Sequence, residues 1–482
     1  MNTQYHERNI SMVMDMYELT MSNGYLNQGF KDTWVAFDVF YRNNPDNGGF
    51  AIFAGLQQVV EYIENLHFSE EDVEYLRSKR LFTEEFLEYL LHFRFRGDIY
   101  AMKEGTVMYP NEPVMTVVAP LIDAQLIETT ILLEINHQSL IATKTNRIVQ
   151  AANGKPVSDF GARRAHNVDA AVYGARAAYI GGAAGTATVL AGKMFHIPIS
   201  GTMAHSWVMT FDSEYDAFKA YAESYPDGTV LLVDTYDVLK SGVPNAIRTA
   251  REVLEPMGKK LIGIRLDSGD LAYLSKEARK MLDEAGLSDC MIVASNSLDE
   301  YTISSLNRQG AKIDSYGVGE RLITSSSTPV FGAVYKLVAI QKDGKFIPKI
   351  KISETAEKIT NPGIKEVYRV YDENGKAVAD YLAVKGEQIR DLEPVRYVDP
   401  VNYWKNRSFV GCRFKKLQVP VFEKGKRIYD LPDIEEIRQY VKDQLENEIW
   451  EEEQRFENAH THYLDMSPAM FELKMSLLHE EN

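Results

Sequence analysis

Between residues 121 and 332, short apolar runs alternate with amphipathic stretches, and this alternation constrains the fold more than any other feature of the chain. The runs fall at residues 157–160, 196–200, 229–233, 260–265, 291–295 and 313–317. Between them, residues 213–225, 244–257, 271–285 and 299–308 carry apolar side chains at helical spacing. Strands separated by helices pair in parallel, because a parallel partner is reached only through a crossover. Six such units in one block predict a (β/α) barrel rather than an open sheet. Capping residues agree: Pro244 suits a first helical turn, Ser297 with Glu300 has capping-box spacing, and Gly286 and Gly310 suit helix C-termini.

The flanks have a different grain. Residues 1–120 begin with a helical pattern in which Val13, Met16, Tyr17 and Met21 share a face. Strand-like runs follow at residues 34–41, 50–53, 99–102 and 106–119, the last interrupted by Pro110 and Pro113. An N-terminal α+β domain is expected there. Past residue 332 the alternation stops. Residues 335–352 and 367–384 read as hairpins turning at Asp343-Gly344 and Asn374-Gly375, and residues 432–457 as a charged helical tail. The expected division is therefore an N-terminal domain at 1–120, an irregular barrel at 121–332, and a C-terminal β-hairpin and helical region at 333–482.

A chain of 482 residues can bury several cores, and its formal charge of −16 disfavours a broad nucleic-acid-binding face. Phosphates would have to be held by local groups. Cys290 and Cys412 lie far apart in sequence, so neither a disulfide framework nor a thiolate metal site is indicated. A reducing cytoplasm fits, and no stretch reads as a secretory signal or a membrane span.

Reactive groups of a (β/α) barrel sit where strands end and βα loops begin. Nearly every run here is followed by polar residues: Asp159-Phe-Gly-Ala-Arg-Arg164, Gly201-Thr-Met-Ala-His205, Asp234-Thr-Tyr-Asp237, Arg265-Leu-Asp-Ser-Gly-Asp270, Ser295-Asn-Ser297 and Gly317-Val-Gly-Glu-Arg321. Singly, each has an ordinary explanation. Asp270 reads as a helix N-cap, Arg163 and Arg164 as surface ion-pair partners, Phe160 and Tyr17 as core, and Gly317 with Gly319 as a tight turn. Their recurrence at one topological position points instead to a shared mouth. Arginine forks and a Gly-Val-Gly loop suit phosphate or carboxylate, aspartates suit Mg²⁺ or ribose hydroxyls, and Phe160 suits a flat ring. His205 lacks zinc-ligand spacing, leaving base, nucleophile or core residue open. A helix beginning at Ser206 would favour its neutral form.

These six motifs, in this order, resemble the nicotinate phosphoribosyltransferase family, and the resemblance extends from Asp15-Met-Tyr-Glu-Leu-Thr20 to Val334-Tyr-Lys-Leu-Val338. It implies transfer of phosphoribose from phosphoribosyl pyrophosphate to nicotinate, coupled to ATP hydrolysis and dependent on Mg²⁺. It further implies that His205 is the histidine phosphorylated by ATP, and that Phe160 and, across a homodimer interface, Tyr17 sandwich the pyridine ring. Arg265 and Thr202 match residues contacting the pyridine carboxylate and its surroundings; Thr324, Gly317 and Gly319 match the phosphate end; Arg163, Ser295 and Asn296 match further substrate-binding positions; Asp234 and Asp267 match carboxylates near ribose and Mg²⁺. Where nicotinamide-type relatives carry an aspartate, this sequence has Ala187, which removes a repulsion from the nicotinate carboxylate. Rival readings are a nicotinamide transferase, a catalytically silent nucleotide-binding regulator, and a sugar-phosphate isomerase or aldolase. Intact His205, Arg265 and Asp267 argue against the silent protein, and the lack of a strand-end lysine against the last.

Overall fold

The computed structural model describes residues 8–355, 358–404 and 406–480. Its six parallel strands are β1 (Val157–Asp159), β2 (Gly185–Thr186), β3 (Val230–Leu232), β4 (Gly263–Leu266), β5 (Met291–Ser295) and β6 (Ser315–Val318). Their ladder runs β2-β1-β6-β5-β4-β3, so the first strand pairs with the last, with Val157 opposite Tyr316 and Asp159 opposite Val318. An open doubly wound sheet keeps its first and last strands apart; sequential neighbours joined through β1 and β6 are the order of an irregular (β/α) barrel. Among the described residues the ladder is not closed between β2 and β3.

The segment predicted as a strand at residues 196–200 lies at that gap and contributes one bridge, Thr186 to Ile199. His196 has left-handed φ of 58° and Pro198 has no N–H to donate, so a longer ladder cannot form. Conversely, β2 was not foreseen, because two residues give no periodicity. Helices Glu214–Ser224, Leu271–Glu284 and Glu300–Arg308 fall where predicted. Residues 244–257 are helical too, but pass from α-helix Val243–Thr249 into the wider turn Ala250–Leu254. Gly286 and Gly310 follow helix ends with φ of 78° and 71°, which glycine adopts without strain. The N-cap of Glu300–Arg308 is Asp299, not Ser297: the Asp299 carboxylate accepts from the Thr302 N–H at 2.7 Å.

The stretches expected as three domains fall into two compact units, Ile141–Pro329 and the remainder, Met1–Leu140 with Val330–Asn482. Long-range strand pairing joins the N- and C-terminal parts. Strand Trp34–Phe40 lies between Met115–Pro120 and Val334–Lys342, both antiparallel, in a seven-stranded sheet. The Asp343-Gly344 turn closes the hairpin to Lys345–Pro348 in that sheet, while Lys365–Tyr371 and Ala377–Val384 pair in a separate six-stranded sheet. The charged tail is helical over Ile434–Asp443 and through Glu448, and a final helix, Pro468–Glu480, was not predicted.

The helix expected from Ser11 begins only at Met16, after the extended N-cap Asp15, and it turns its apolar stripe outward: Met16, Tyr17 and Met21, with Val13 before the helix, are exposed, while Glu18, Leu19, Ser22 and Leu26 are buried. Glu18 points inward because its Oε1 accepts hydrogen bonds from the Thr129 N–H and hydroxyl. Burial raises the Glu18 carboxyl to about 7, against the lowering effect of Thr129. A raised carboxyl stabilises the fold in its protonated form, so this contribution is complete below about 4.5 and is lost as pH rises towards about 7. Glu18→Gln, which cannot ionise, is expected to gain in thermal midpoint relative to the parent across that window; a constant difference from pH 4.5 to 7 contradicts this.

Candidate active site

The C-terminal ends of β1, β4, β5 and β6 surround a cavity of about 100 Å³ lined by Phe160, Arg163, Arg265, Asp267, Ser295, Asn296, Gly317 and Gly319, together with Arg164, Ser297 and Glu320. Parallel strands bring these side chains together at the shared mouth expected from the sequence, because all their C-terminal ends open on one side.

Arg265, on β4, organises the cavity. Its Nε donates to Ser295 Oγ at 2.8 Å, Nη1 to Thr202 Oγ1 at 3.0 Å and to the Met203 carbonyl at 3.3 Å, and Nη2 to Asp267 Oδ1 at 2.7 Å. The Ser295 hydroxyl in turn donates to Asp267 Oδ1 at 2.5 Å. Burial works to raise the Asp267 carboxyl, but Ser295, Arg265 and His205 outweigh it and hold the group below the usual carboxylate range. Asp267 is thus a fixed negative charge. The fork read from sequence as free for an anion is largely engaged within the protein. Arg163 and Arg164 are exposed and form no ion pair among the described residues, so their surface salt-bridge explanation is not met and they are the available cations.

Asp234 accepts from the Asp267 N–H at 3.0 Å and from Ser268 Oγ at 2.5 Å through Oδ2, while its buried Oδ1 has no hydrogen-bond partner. A lone buried carboxylate oxygen suits a divalent cation, yet no cluster of three acidic or histidine ligands exists among the described residues. Mg²⁺ tolerates this, since it keeps several waters and is commonly held by one or two carboxylates plus substrate phosphates.

His205 begins the short helix His205–Thr210. Its Nδ1 lies 3.1 Å from Thr235 Oγ1 and its Nε2 3.8 Å from Asp267 Oδ2. The histidine without a charged neighbour in sequence therefore has a carboxylate facing it in space. Phe160 sits beneath the Arg265 guanidinium, 5.8 Å from ring centroid to Cζ, and against Gly317, where any Cβ would overlap the ring. Glycine at 317 is thus required by a close approach, not by turn geometry.

Other predicted residues lie apart from the cavity. Thr324 caps Glu320–Ile323 and its hydroxyl donates to the Glu320 carbonyl at 2.7 Å, so it does not line the mouth. Tyr17 belongs to the other unit. Asp270 proves to be the N-cap suggested by its position, accepting from the Tyr273 N–H at 3.0 Å, and Asp237 likewise caps the turn at Leu239 and Lys240. Sequence reasoning gave no role to Asp159, which is buried and accepts from the Gly161 N–H and the Thr186 hydroxyl, both at 2.8 Å, fixing the loop that carries Phe160. Its place at the head of Asp-Phe-Gly was the available signal. Asn296 and Ser297 adopt left-handed φ of 84° and 49°, an uncommon pair of strained positions at a cavity wall. Two ties brace them: Asp299 to Arg321 at 2.5 Å, and buried Glu300 to Lys144 at 2.8 Å and Arg147 at 3.1 Å.

Fold and site together define a barrel protein whose mouth sets exposed arginines beside the Phe160 ring. The chain matches the family models for the nicotinate phosphoribosyltransferase (NAPRTase) N-terminal domain over residues 12–136, the family itself over 156–375 and the C-terminal domain over 364–474. It is 46% identical to the nicotinate phosphoribosyltransferase of Bacillus subtilis, covering 99% of this chain and 96% of that one. Identity to the Dictyostelium discoideum nicotinate phosphoribosyltransferase is 36%, over 96% and 87%. The crystal structure of human nicotinic acid phosphoribosyltransferase superposes with a TM-score of 0.86 at 27% identity, covering 96% of this chain and 99% of that one. The chain belongs to the nicotinate phosphoribosyltransferase family.

Gly317→Ala is expected to cost about 1–3 kcal/mol in chemical denaturation, because the new methyl displaces the Phe160 ring. Gly228→Ala, where a Cβ meets open space, is the control and is expected to stay within about 0.5 kcal/mol. Equal stability of the two variants contradicts the close-approach explanation.

Proposed function

We propose that the protein transfers 5-phosphoribose from phosphoribosyl pyrophosphate to the ring nitrogen of nicotinate, giving nicotinate mononucleotide and pyrophosphate for NAD biosynthesis or salvage, with ATP hydrolysis coupled to the transfer. The observation that carries this reading is the convergence of Phe160, two free arginines and the Arg265–Asp267 pair at one mouth, with His205 beside Asp267.

The ring stacks on Phe160, with Tyr17 from a second copy of the chain as the opposite wall, and the exposed stripe of Val13, Met16, Tyr17 and Met21 supports such a homodimer. Thr202 and Arg265 orient the pyridine and its carboxylate. Arg163 with the Asn296 and Gly317–Gly319 loops faces phosphate groups. Thr324 serves the phosphate end only through the short helix that it caps. As the ring nitrogen bonds to the ribose carbon, the carbon–oxygen bond to pyrophosphate breaks and its electron pair leaves with pyrophosphate. Positive charge grows on the ribose, and the ionised Asp267, with Asp234, stabilises it in place. Asp234, through its unpartnered oxygen, and Asp267 would hold Mg²⁺, which when bound would neutralise the leaving group. The pyridine nitrogen already has a lone pair, so no general base is needed.

That leaves His205 for energy coupling. One ring nitrogen attacks the γ-phosphorus of ATP, the bond to the bridging oxygen breaks, and ADP departs with the electron pair. The phosphorylated ring gains positive charge, which Asp267 offsets. Ala187, exposed immediately past β2, carries no carboxylate to repel nicotinate, which favours the acid over nicotinamide. The absence of a membrane-spanning helix among the described residues accords with a cytoplasmic enzyme.

Purified protein with phosphoribosyl pyrophosphate, Mg²⁺, ATP and labelled nicotinate is expected to form the mononucleotide, with ATP accelerating turnover. Equal use of nicotinamide defeats the specificity assignment, and turnover of neither substrate supports the silent regulator instead. Incubation with γ-labelled ATP is expected to leave acid-labile, base-stable label on the wild type and none on His205→Ala; retained label removes the phosphohistidine.

A further inference from the structure

We infer that Thr235 is the positioning residue that holds the His205 ring for phosphoryl transfer, an inference that rests on the phosphohistidine reading above. The Asp234-Thr-Tyr-Asp237 loop follows β3, and its two aspartates have roles: Asp234 braces the Asp267 loop and Asp237 caps a turn. Thr235 lies between them, and its hydroxyl is 3.1 Å from His205 Nδ1. The other ring nitrogen is 3.8 Å from Asp267 Oδ2, beyond hydrogen-bonding range. Thr235 is thus the group at hydrogen-bond distance from the imidazole among the described residues.

Among the described residues no other side chain hydrogen-bonds the ring. His205 is the first residue of a six-residue helix whose N-cap, Ala204, has no side chain to fix the turn, and the imidazole is itself partly exposed. A side chain so placed loses rotamer freedom only through a specific contact. Successive residues of one loop supply that contact and fix its charged neighbour: Asp234 ties down the backbone N–H of Asp267, and Thr235 ties down the ring facing the Asp267 carboxylate. Ring and carboxylate are therefore set by a common loop. A hydroxyl both donates and accepts, so Thr235 can keep its bond to the ring while the ring's protons rearrange. In the coupled step, one nitrogen forms the N–P bond and ADP leaves with the electron pair of the broken bond; Thr235 exchanges nothing and fixes the plane of attack.

The test compares Thr235→Val, which keeps the β-branched shape without the hydroxyl, with Thr235→Ser, which keeps the hydroxyl. Single-turnover labelling from γ-labelled ATP is expected to slow about tenfold in Thr235→Val, the scale of one hydrogen bond, with the ATP concentration for half-maximal rate little changed. Thr235→Ser is expected to recover the rate to within about threefold. Thr235→Ala, which introduces no new bulk, gives the same comparison should the valine variant fail to fold. Wild-type labelling rates in both Thr235→Val and Thr235→Ala, or a Thr235→Ser variant as slow as either, overturn the inference while the phosphohistidine stands. An unlabelled wild type overturns the phosphohistidine reading and this inference with it.

Discussion

The Arg265 guanidinium, clamped by Ser295, Thr202 and Asp267, is the interaction on which the mouth of the barrel depends. It spans three chain segments: β4, the end of β5 and the loop before His205. Both members of the ion pair are mostly withdrawn from water, with side-chain exposures of 14% and 26%. Breaking a pair in that setting leaves a poorly solvated charge, so its members are held in place more firmly than a surface pair would be. The same contacts keep Asp267 ionised, and an ionised Asp267 both faces His205 and aligns, through its backbone, with Asp234.

Around that centre the loops are shaped by local conflicts resolved in favour of the site. Gly317 yields its side chain to the Phe160 ring, and Asp159 is desolvated to hold the turn that presents it. Asn296 and Ser297 accept left-handed backbone because buried Glu300 and the Asp299–Arg321 pair anchor the helix immediately after them. Such strain persists only where the surroundings overdetermine it. The result is a preorganised, polar pocket, suited to a reaction in which charge develops and departs without the need for a protein base.

The second unit is built on another principle. Its buried Arg369 donates to Asp380 through Nε at 2.9 Å and Nη2 at 2.8 Å, and through Nη2 to the Val107 carbonyl. His462 stacks on Tyr109 with centroids 3.7 Å apart and bonds Glu453 at 3.0 Å. The Arg369 contact to Val107 and the His462 contact to Tyr109 link residues separated by hundreds of positions, which ties the N- and C-terminal stretches into one compact unit.

The sequence by itself determined the barrel, the hairpin turns and the set of polar clusters, because period, glycine and capping chemistry are local properties. Six ordered motifs were enough to identify the family. Tertiary structure alone decided the rest. Apolar spacing could not say which face of the Tyr17 helix is buried, since inward Glu18 is held by Thr129, more than a hundred residues away. Nor could it separate Asp267 from the equally well placed Asp270, a helix cap, or remove Thr324 from the cavity. His205 had no charged neighbour along the chain, and Thr235 no apparent task; parallel strands set both beside Asp267, because spatial adjacency in a barrel runs across strands and not along them.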